Sequence, residues 1–238
     1  DSATWQRTQL VFVCSPGNPS GAVMQLDDWQ TLFALQDQYG FVIASDECYS
    51  EIYFGDAAPL GALQAAQQLG RDWHDLVMFT SLSKRSNVPG LRSGFVAGDA
   101  KWMAAFLEYR TYHGSAMGLP IQHASIAAWN DEAHVAHNRE LYQQKFTQVV
   151  ALLQDAYDIK IPDASFYLWL KVPNGDDLAF TQRLWQQHAV HVLPGRLLAR
   201  DTATGNPGQG YVRIALVAGV DECVEAAKRL LTFAQQGF

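Results

Sequence analysis

The segment SLSKRSNVPGLRSG, residues 81–94, places a lysine and an arginine in one loop that is rich in hydroxyl groups. A neutral lysine amine attacks carbonyl carbons and forms Schiff bases. An arginine beside serine hydroxyls can hold a phosphate dianion through charge-assisted hydrogen bonds. Lys84 could therefore bond an aldehyde at one end of a ligand, while Ser81 and Arg92 hold a phosphate at the other end.

Further polar side chains follow the strand candidates of this half of the chain. They are Asn18 after LVFVC (10–14), Asp46 and Tyr49 after FVIAS (41–45), and Ser83 with Lys84 after LVMFT (76–80). Ligands of α/β sheets bind outside the carboxyl ends of the strands, so we expect these groups on one edge of the sheet. A carboxylate there would pair with a protonated ring nitrogen. An aldehyde, a phosphate and a pyridinium in one ligand describe pyridoxal phosphate.

Alternating strand and helix patterns predict the sheet that would position these residues. The stretch 26–40 has apolar residues at helical spacing, with Asp27 or Asp28 expected to cap its start and Gly40 to end it. A fourth strand candidate, SGFVAGD (93–99), precedes a helix predicted to run from a cap at Asp99 to about Tyr112. The alternation predicts an α/β domain with a mostly parallel sheet and helices on both faces.

The second half of the chain has a different pattern. It contains one long amphipathic helix (131–157), strand candidates SFYLWLKV, VHVLPG and YVRIALV, a helix DLAFTQRLWQQH and a final helix from about Asp221. This order is typical of a smaller α+β domain. We therefore predict a boundary near residue 135, with domains at 1–135 and 136–238.

Composition and charge argue against several classes of protein. The net charge of −7 disfavours a nucleic-acid binder, which needs a basic face. No apolar run approaches the ~18 residues of a membrane span, and the first residues do not resemble a signal peptide. Cys14, Cys48 and Cys223 lie far apart, as expected for buried thiols in a reducing compartment. These features predict a cytoplasmic protein.

No metal site is predicted. His134 and His137 have a helical spacing that could bind a metal, but no further ligands lie nearby in the sequence. We interpret them as part of a solvated helix face.

Six motifs occur in order along nearly the whole chain. They are SPGNPSG (15–21), SDECYSEIYF (45–54), SLSKRSNVPGLRSGFVAGD (81–99), FYLWL (166–170), VLPG (192–195) and YVRIALV (211–217). As a set they resemble the class I and II aminotransferases, which are fold-type I pyridoxal-phosphate enzymes. The set is specific, although NPxG or SxSK alone would be a weak signal.

The resemblance implies a role in cofactor chemistry for four of the matching residues. Lys84 would form the Schiff base with the cofactor and then move a proton between the substrate Cα and the cofactor. Asp46 would pair with the pyridinium nitrogen. Asn18 and Tyr49 would donate hydrogen bonds to the phenolic oxygen of the ring.

The remaining matching residues would hold the anionic groups of cofactor and substrate. Ser81 and Arg92 would bind the cofactor phosphate, and Ser83 either joins them or only shapes the turn. Arg213 would receive the α-carboxylate of the substrate, a bidentate task that suits a guanidinium. Arg85 is expected to be a charge in solvent or at the periphery of the phosphate.

The segments around Arg92 and YRTYHGSAM (109–117) are similar to the bacterial N-succinyldiaminopimelate aminotransferases of lysine biosynthesis. Ser93 replaces the small apolar residue that is commoner in the broader family. The resemblance implies amino transfer between glutamate and a keto acid in a homodimer, with no nucleic acid or membrane as partner.

Members of the family are longer, so the chain is expected to correspond to their C-terminal portion. We expect this portion alone to bind the cofactor weakly and to be inactive or nearly so. Two other functions fit the same motifs: a pyridoxal-phosphate C–S lyase, and the effector domain of an aminotransferase-like transcription regulator.

Overall fold

The computed structural model describes residues 2–114 and 116–237, so Ser115 of the YRTYHGSAM motif lies outside the described residues. The chain divides into two units. The first unit is formed by the residues up to Gly17 together with Ala22–Asn138. The second is formed by Asn18–Gly21 together with the residues from Arg139 onward.

The first unit is built on a four-stranded sheet. Its elements are α1 (Ser2–Trp5), β1 (Leu10–Cys14), α2 (Leu26–Tyr39), β2 (Val42–Asp46), α3 (Ala62–Gln68), β3 (Leu76–Ser81), α4 (Leu82–Arg85), β4 (Gly94–Gly98), α5 (Ala100–Tyr112) and α6 (Leu119–Trp129). The strand order is β1-β2-β3-β4, with β1, β2 and β3 parallel and β4 antiparallel to β3. The predicted α/β fold with a mostly parallel sheet is confirmed.

Helix α2 shows how local sequence sets the bounds of an element. It ends where Gly40 adopts a left-handed conformation, as its sequence predicts. Its start differs from the prediction, because Gln25 is the N-cap and Asp28 accepts a hydrogen bond from the Gln25 backbone N–H at 2.8 Å. The two residues form a reciprocal capping box, so Asp28 stabilises the helix start from inside the first turn.

Helices α2 and α3 cover one face of this sheet. The buried core there consists of Trp29, Leu32, Phe33, Phe41, Ile43, Ala62, Ala65, Ala66 and Leu76. Burial of each large side chain stabilises the unit by about 1.5–3 kcal/mol. The sequence did not predict α3, because only alanines from it are buried and the pattern of large apolar residues is absent. Helix α6 was also not predicted.

The second unit contains an antiparallel sheet in the order β5-β7-β6. Its elements are the later part of α7 (Ala133–Leu153), β5 (Tyr167–Lys171), α8 (Asp177–His188), β6 (Leu193–Pro194), β7 (Tyr211–Ala215) and α9 (Val220–Gln236). Helix α7 is shorter than its predicted span of 131–157, and only two residues of VHVLPG are in a strand. The buried side chains of the second unit include Phe146, Leu168, Phe180, Val212 and Phe233.

None of the helices within the described ranges combines the length and the hydropathy that a membrane span requires.

Candidate functional site

The carboxyl ends of β2 and β3 position the first polar groups of the site. Asp46 is the last residue of β2, and its Oδ1 accepts a hydrogen bond from the Cys48 backbone N–H at 3.0 Å. Ser81 is the last residue of β3, and its Oγ accepts from the Ser83 backbone N–H at 3.3 Å, which caps α4. Because β2 and β3 are parallel neighbours, both polar groups lie at the same edge of the sheet.

Lys84 lies in the one-turn helix α4 that follows β3 directly. Leu82 fixes the start of this helix, since its side chain is fully buried and its backbone N–H donates to the Ser93 carbonyl at 3.0 Å. Burial of the leucine turns the opposite side of the helix, with Lys84, toward the cavity described below.

Arg92 follows a 3-10 turn at Pro89–Leu91 and adopts a left-handed backbone conformation with φ 52°. This conformation is uncommon for a residue with a side chain and is retained where surrounding structure imposes it. Arg92 Nη1 donates to the Pro89 carbonyl at 2.8 Å, so the side chain folds back over the turn that precedes it. That contact holds the guanidinium beside the cavity.

A cavity of about 770 Å³ in the first unit brings most of the predicted residues together. Its lining includes Asp46, Tyr49, Ser81, Ser83, Lys84 and Arg92. A volume of this size is within the range of small-molecule sites. Six predicted residues from three separate segments therefore face a single space.

The charges of this lining favour an anionic ligand that also carries one cationic group. Among the described lining residues, Lys84, Arg92 and Arg110 are cationic and Asp46 is the one carboxylate. Cations and hydroxyls suit a phosphate, a carboxylate suits a protonated ring nitrogen, and a lysine amine suits an aldehyde. The donor set therefore fits pyridoxal phosphate.

Cys48 is a cavity residue that the sequence did not predict. Its Sγ lies 3.5 Å from Ser81 Oγ, between the two strand ends. Burial raises the pKa of the Cys48 thiol to about 11, so the group stays protonated at neutral pH. Its position two residues after Asp46 could have indicated that it lines the same site. Phe106 and Arg110 of α5 also line the cavity without having been predicted.

Ser93 and Arg85, the two unusual residues of the loop, are buried. Ser125 Oγ lies 2.8 Å from Ser93 Oγ, so the buried Ser93 hydroxyl has a hydrogen-bond partner. The expectation that Arg85 is a charge in solvent is wrong, because the residue is 4% exposed and its partners lie on other segments. The sequence around Arg85 does not indicate which distant residues contact its guanidinium.

Asn18 and Arg213 form a pair of their own in the second unit. Arg213 lies in the middle of β7, and its Nη1 donates to Asn18 Oδ1 at 2.8 Å. Arg213 Cζ is 4.4 Å from the centre of the Tyr167 ring, a cation–π contact. The amide and the aromatic ring hold the guanidinium in a fixed orientation, as a residue that binds a carboxylate would require.

His134, one of the two histidines considered as metal ligands, has other partners. His134 lies 3.0 Å from an Asp131 carboxylate oxygen and 2.8 Å from Ser86 Oγ. Within residues 2–114 and 116–237, one group has three candidate ligands within 4.8 Å: His74, Asp75 and Asp99. The His74 ring nitrogens lie 3.2 Å from an Asp75 carboxylate oxygen and 3.6 Å from an Asp99 carboxylate oxygen. Asp75 accepts from the Trp102 indole N–H at 2.7 Å and Asp99 caps α5, so both carboxylates have structural roles.

The family model described as aminotransferase class I and II matches residues 1–230. An LL-diaminopimelate aminotransferase of Desulforudis audaxviator is 32% identical over 232 residues, which cover 95% of this chain and 56% of the relative. The crystal structure of an aminotransferase from Neisseria meningitidis is 67% identical with a TM-score of 0.96, covering 98% of this chain and 60% of that one.

A probable N-succinyldiaminopimelate aminotransferase from Thermus thermophilus is 27% identical with a TM-score of 0.83. The match covers 98% of this chain and 60% of that one. The chain therefore spans little more than half the length of the relatives that it matches.

Proposed function

Because the chain belongs to the class I and II aminotransferases, a family of pyridoxal-phosphate enzymes, we propose that it carries the cofactor-binding lysine of a transaminase. The observation that carries the proposal is the cavity shared by Asp46, Ser81, Lys84 and Arg92. When bound, the cofactor supplies an electron sink for the pair of electrons that a substrate Cα–H bond leaves behind.

The side chains around this cavity divide the work by their chemistry. Lys84 Nζ would hold the aldehyde end until the substrate amine takes its place, and the freed amine would then carry a proton between the substrate Cα and the cofactor. The Asp46 carboxylate would keep the ring nitrogen protonated, while Tyr49 and Asn18 would donate to the phenolic oxygen. Ser81, Ser83 and Arg92 hold the phosphate.

We assign the substrate α-carboxylate to Arg213. The contacts with Asn18 and Tyr167 support this role, because a guanidinium held in one orientation can meet a carboxylate with two parallel hydrogen bonds.

For the reaction we propose amino transfer from glutamate to a keto acid in the cytoplasm, by a homodimer. Within that class we propose N-succinyldiaminopimelate as the amino-acid substrate, in lysine biosynthesis. The sequence motifs of the loop and the Thermus thermophilus relative named for N-succinyldiaminopimelate support this choice. The relatives named for LL-diaminopimelate support only the broader class of diaminopimelate substrates.

The first experiment tests cofactor binding. The chain is mixed with pyridoxal phosphate, reduced with borohydride and mapped by peptide mass spectrometry, alongside Lys84→Ala and the control Lys101→Ala, which removes an exposed lysine of the same unit. We expect a visible absorbance band and a label on Lys84 in the wild type and the control, and neither in Lys84→Ala. A band that persists in Lys84→Ala would contradict the proposal.

A second experiment tests the substrate on the full-length protein. N-succinyldiaminopimelate and LL-diaminopimelate are each supplied with 2-oxoglutarate, and glutamate formation is measured. We expect faster turnover of the succinylated compound. Preference for the free compound would reject the succinyl assignment alone, whereas release of ammonia and pyruvate from a thioether amino acid would indicate a lyase.

A further inference from the structure

We propose that Arg85 is a positioning residue that holds α4, and with it Lys84, in place. Its guanidinium joins α4 to α6 and to the segment after β2. The inference rests on the proposed role of Lys84, but the anchoring itself can be measured without cofactor.

The guanidinium of Arg85 contacts residues from three parts of the first unit: α6, the turn after it and the segment after β2. Nη1 donates to the Ala128 carbonyl at 2.9 Å, and Nη2 donates to the Glu132 carboxylate. Nε lies 3.7 Å from Glu51 Oε1, and Cζ lies 5.1 Å from the centre of the Trp129 ring. These contacts account for the burial of a permanently charged side chain.

Helix α4 requires such support because it is only one turn long. One helical turn fixes several backbone dihedrals for a single hydrogen bond, here from the Ser86 N–H to the Leu82 carbonyl at 3.0 Å. Leu82 anchors the start of the turn by burial, and Arg85 anchors its end. Lys84 lies between these two anchors and faces the cavity.

Arg85 also connects two parts of the candidate site. Glu51 follows Tyr49 by two residues, in the segment that continues from Asp46. The ion pair with Glu51 therefore links the strand end that carries the carboxylate to the helix that carries the amine. Since a productive site holds its groups within about 0.5 Å, a shared anchor of this kind affects chemistry as well as stability.

An arginine suits this position better than a lysine. Its planar fork presents five N–H donors and can stack on an aromatic ring while donating in different directions. A lysine ammonium at the end of a flexible stem would keep the charge but lose the simultaneous contacts with Ala128, Glu132 and Trp129.

The test measures hydrogen exchange of the cofactor-free chain by mass spectrometry for Arg85→Met. Arg71→Met is the matched control, because Arg71 also has an ion pair, at 2.6 Å to Asp37, and an aromatic contact, at 5.0 Å to Phe33. We expect amides of residues 82–86 to exchange at least about tenfold faster in Arg85→Met, because a hydrogen-bonded charge is lost. Amides of α2 should keep their rates in that variant, and residues 82–86 should keep theirs in Arg71→Met.

The same variants are then tested for labelling of Lys84 by pyridoxal phosphate and borohydride. We expect Arg85→Met to reduce this labelling by about tenfold and Arg85→Lys to restore it only in part. Glu132→Gln alters an exposed partner of Arg85 and leaves the core intact. It should raise hydrogen exchange at residues 82–86 by a smaller factor than Arg85→Met does. This variant replaces Arg85→Met in the test if Arg85→Met does not fold.

Three outcomes would overturn the inference. These are unchanged exchange at residues 82–86, exchange raised by the same factor throughout the unit, and raised exchange with unchanged labelling of Lys84. If the wild type itself is not labelled, the proposed function fails, and the exchange result still decides whether Arg85 anchors α4.

Discussion

At the scale of single residues, the candidate site depends on charges at the ends of strands. Asp46 stands at the end of β2, where the Cys48 backbone N–H fixes one of its carboxylate oxygens. The same cavity is lined by three cationic side chains, so the carboxylate faces a space shared with groups of opposite charge. An anionic group held in this way is suited to keep a ring nitrogen protonated.

Replacement of Asp46 by asparagine tests this role. The amide introduced by Asp46→Asn retains an oxygen that can accept from the Cys48 N–H, so the fold should be preserved. Loss of one charge-assisted pair should weaken cofactor binding by about 10- to 100-fold. Affinity is measured by titration of the visible band with pyridoxal phosphate.

The exposed Asp56 provides a control for the same chemical change. Asp56→Asn should bind the cofactor as the wild type does. Equal affinity in Asp46→Asn and the wild type would exclude a pairing between Asp46 and the ring nitrogen.

At the scale of elements, one buried carboxylate joins three segments of the second unit. Asp177, at the start of α8, accepts from the Arg196 backbone N–H at 3.0 Å, from Arg196 Nε at 2.7 Å and from the Gly210 N–H at 3.3 Å. Burial alone would raise the pKa of Asp177, but the hydrogen bonds from Arg196 and Gly210 outweigh it and hold the pKa below 3.8. Gly210 directly precedes β7, so Asp177 also helps to position the strand of Arg213.

A depressed pKa in the folded state makes the contribution of Asp177 depend on pH. The stabilisation is present above the ordinary pKa of 3.8 and is lost as pH falls through that value toward the lower folded one. Asp177→Asn should therefore lower the free energy of unfolding by about 2–3 kcal/mol at pH 6. The difference from the wild type should shrink below about pH 4.

Urea unfolding followed by circular dichroism at each pH measures that difference. Asp176→Asn, at a more exposed neighbour that caps α8, is the control and should cost less than about 0.5 kcal/mol, because asparagine caps a helix about as well as aspartate. A deficit in Asp177→Asn that stays constant from pH 6 to pH 3 would show that the carboxylate charge has no part in the stabilisation.

At the scale of the whole molecule, each unit has its own core. Trp29, Phe33 and Ile43 are buried in the first unit, and Phe180, Leu230 and Phe233 are buried in the second. The Phe233 ring centre is 5.3 Å from that of Phe180 and 5.4 Å from that of His188. Separate cores predict that damage to one unit leaves the protection of the other largely intact.

Phe233→Ala should lower the free energy of unfolding of the second unit by about 3–5 kcal/mol, because it leaves a cavity among aromatic rings. Hydrogen exchange should accelerate in β5 and α9 and stay unchanged in α2 and β2. Phe12→Ala removes the same atoms from a side chain that is 71% exposed and should cost less than about 0.5 kcal/mol. Equal acceleration in both units would show that they unfold together.

Local sequence patterns predicted the features that depend on neighbouring residues. The strand at 10–14, the end of α2 at Gly40 and the cap of α5 at Asp99 all follow from local patterns and from the conformations of single residues. The six motifs taken together indicated the family. The placement of polar residues after strands also predicted the cavity, because the ends of parallel strands share one edge.

Contacts between residues that are distant in the chain could be seen only once the chain was folded. The antiparallel direction of β4, the burial of Arg85 against α6 and the pairing of Ser93 with Ser125 join positions at least about a dozen residues apart. Arg213 and Asn18 meet across 195 residues. Such pairs carry no local signature, since each partner alone has the composition of a surface residue, and only packing of the surrounding apolar side chains brings the two together.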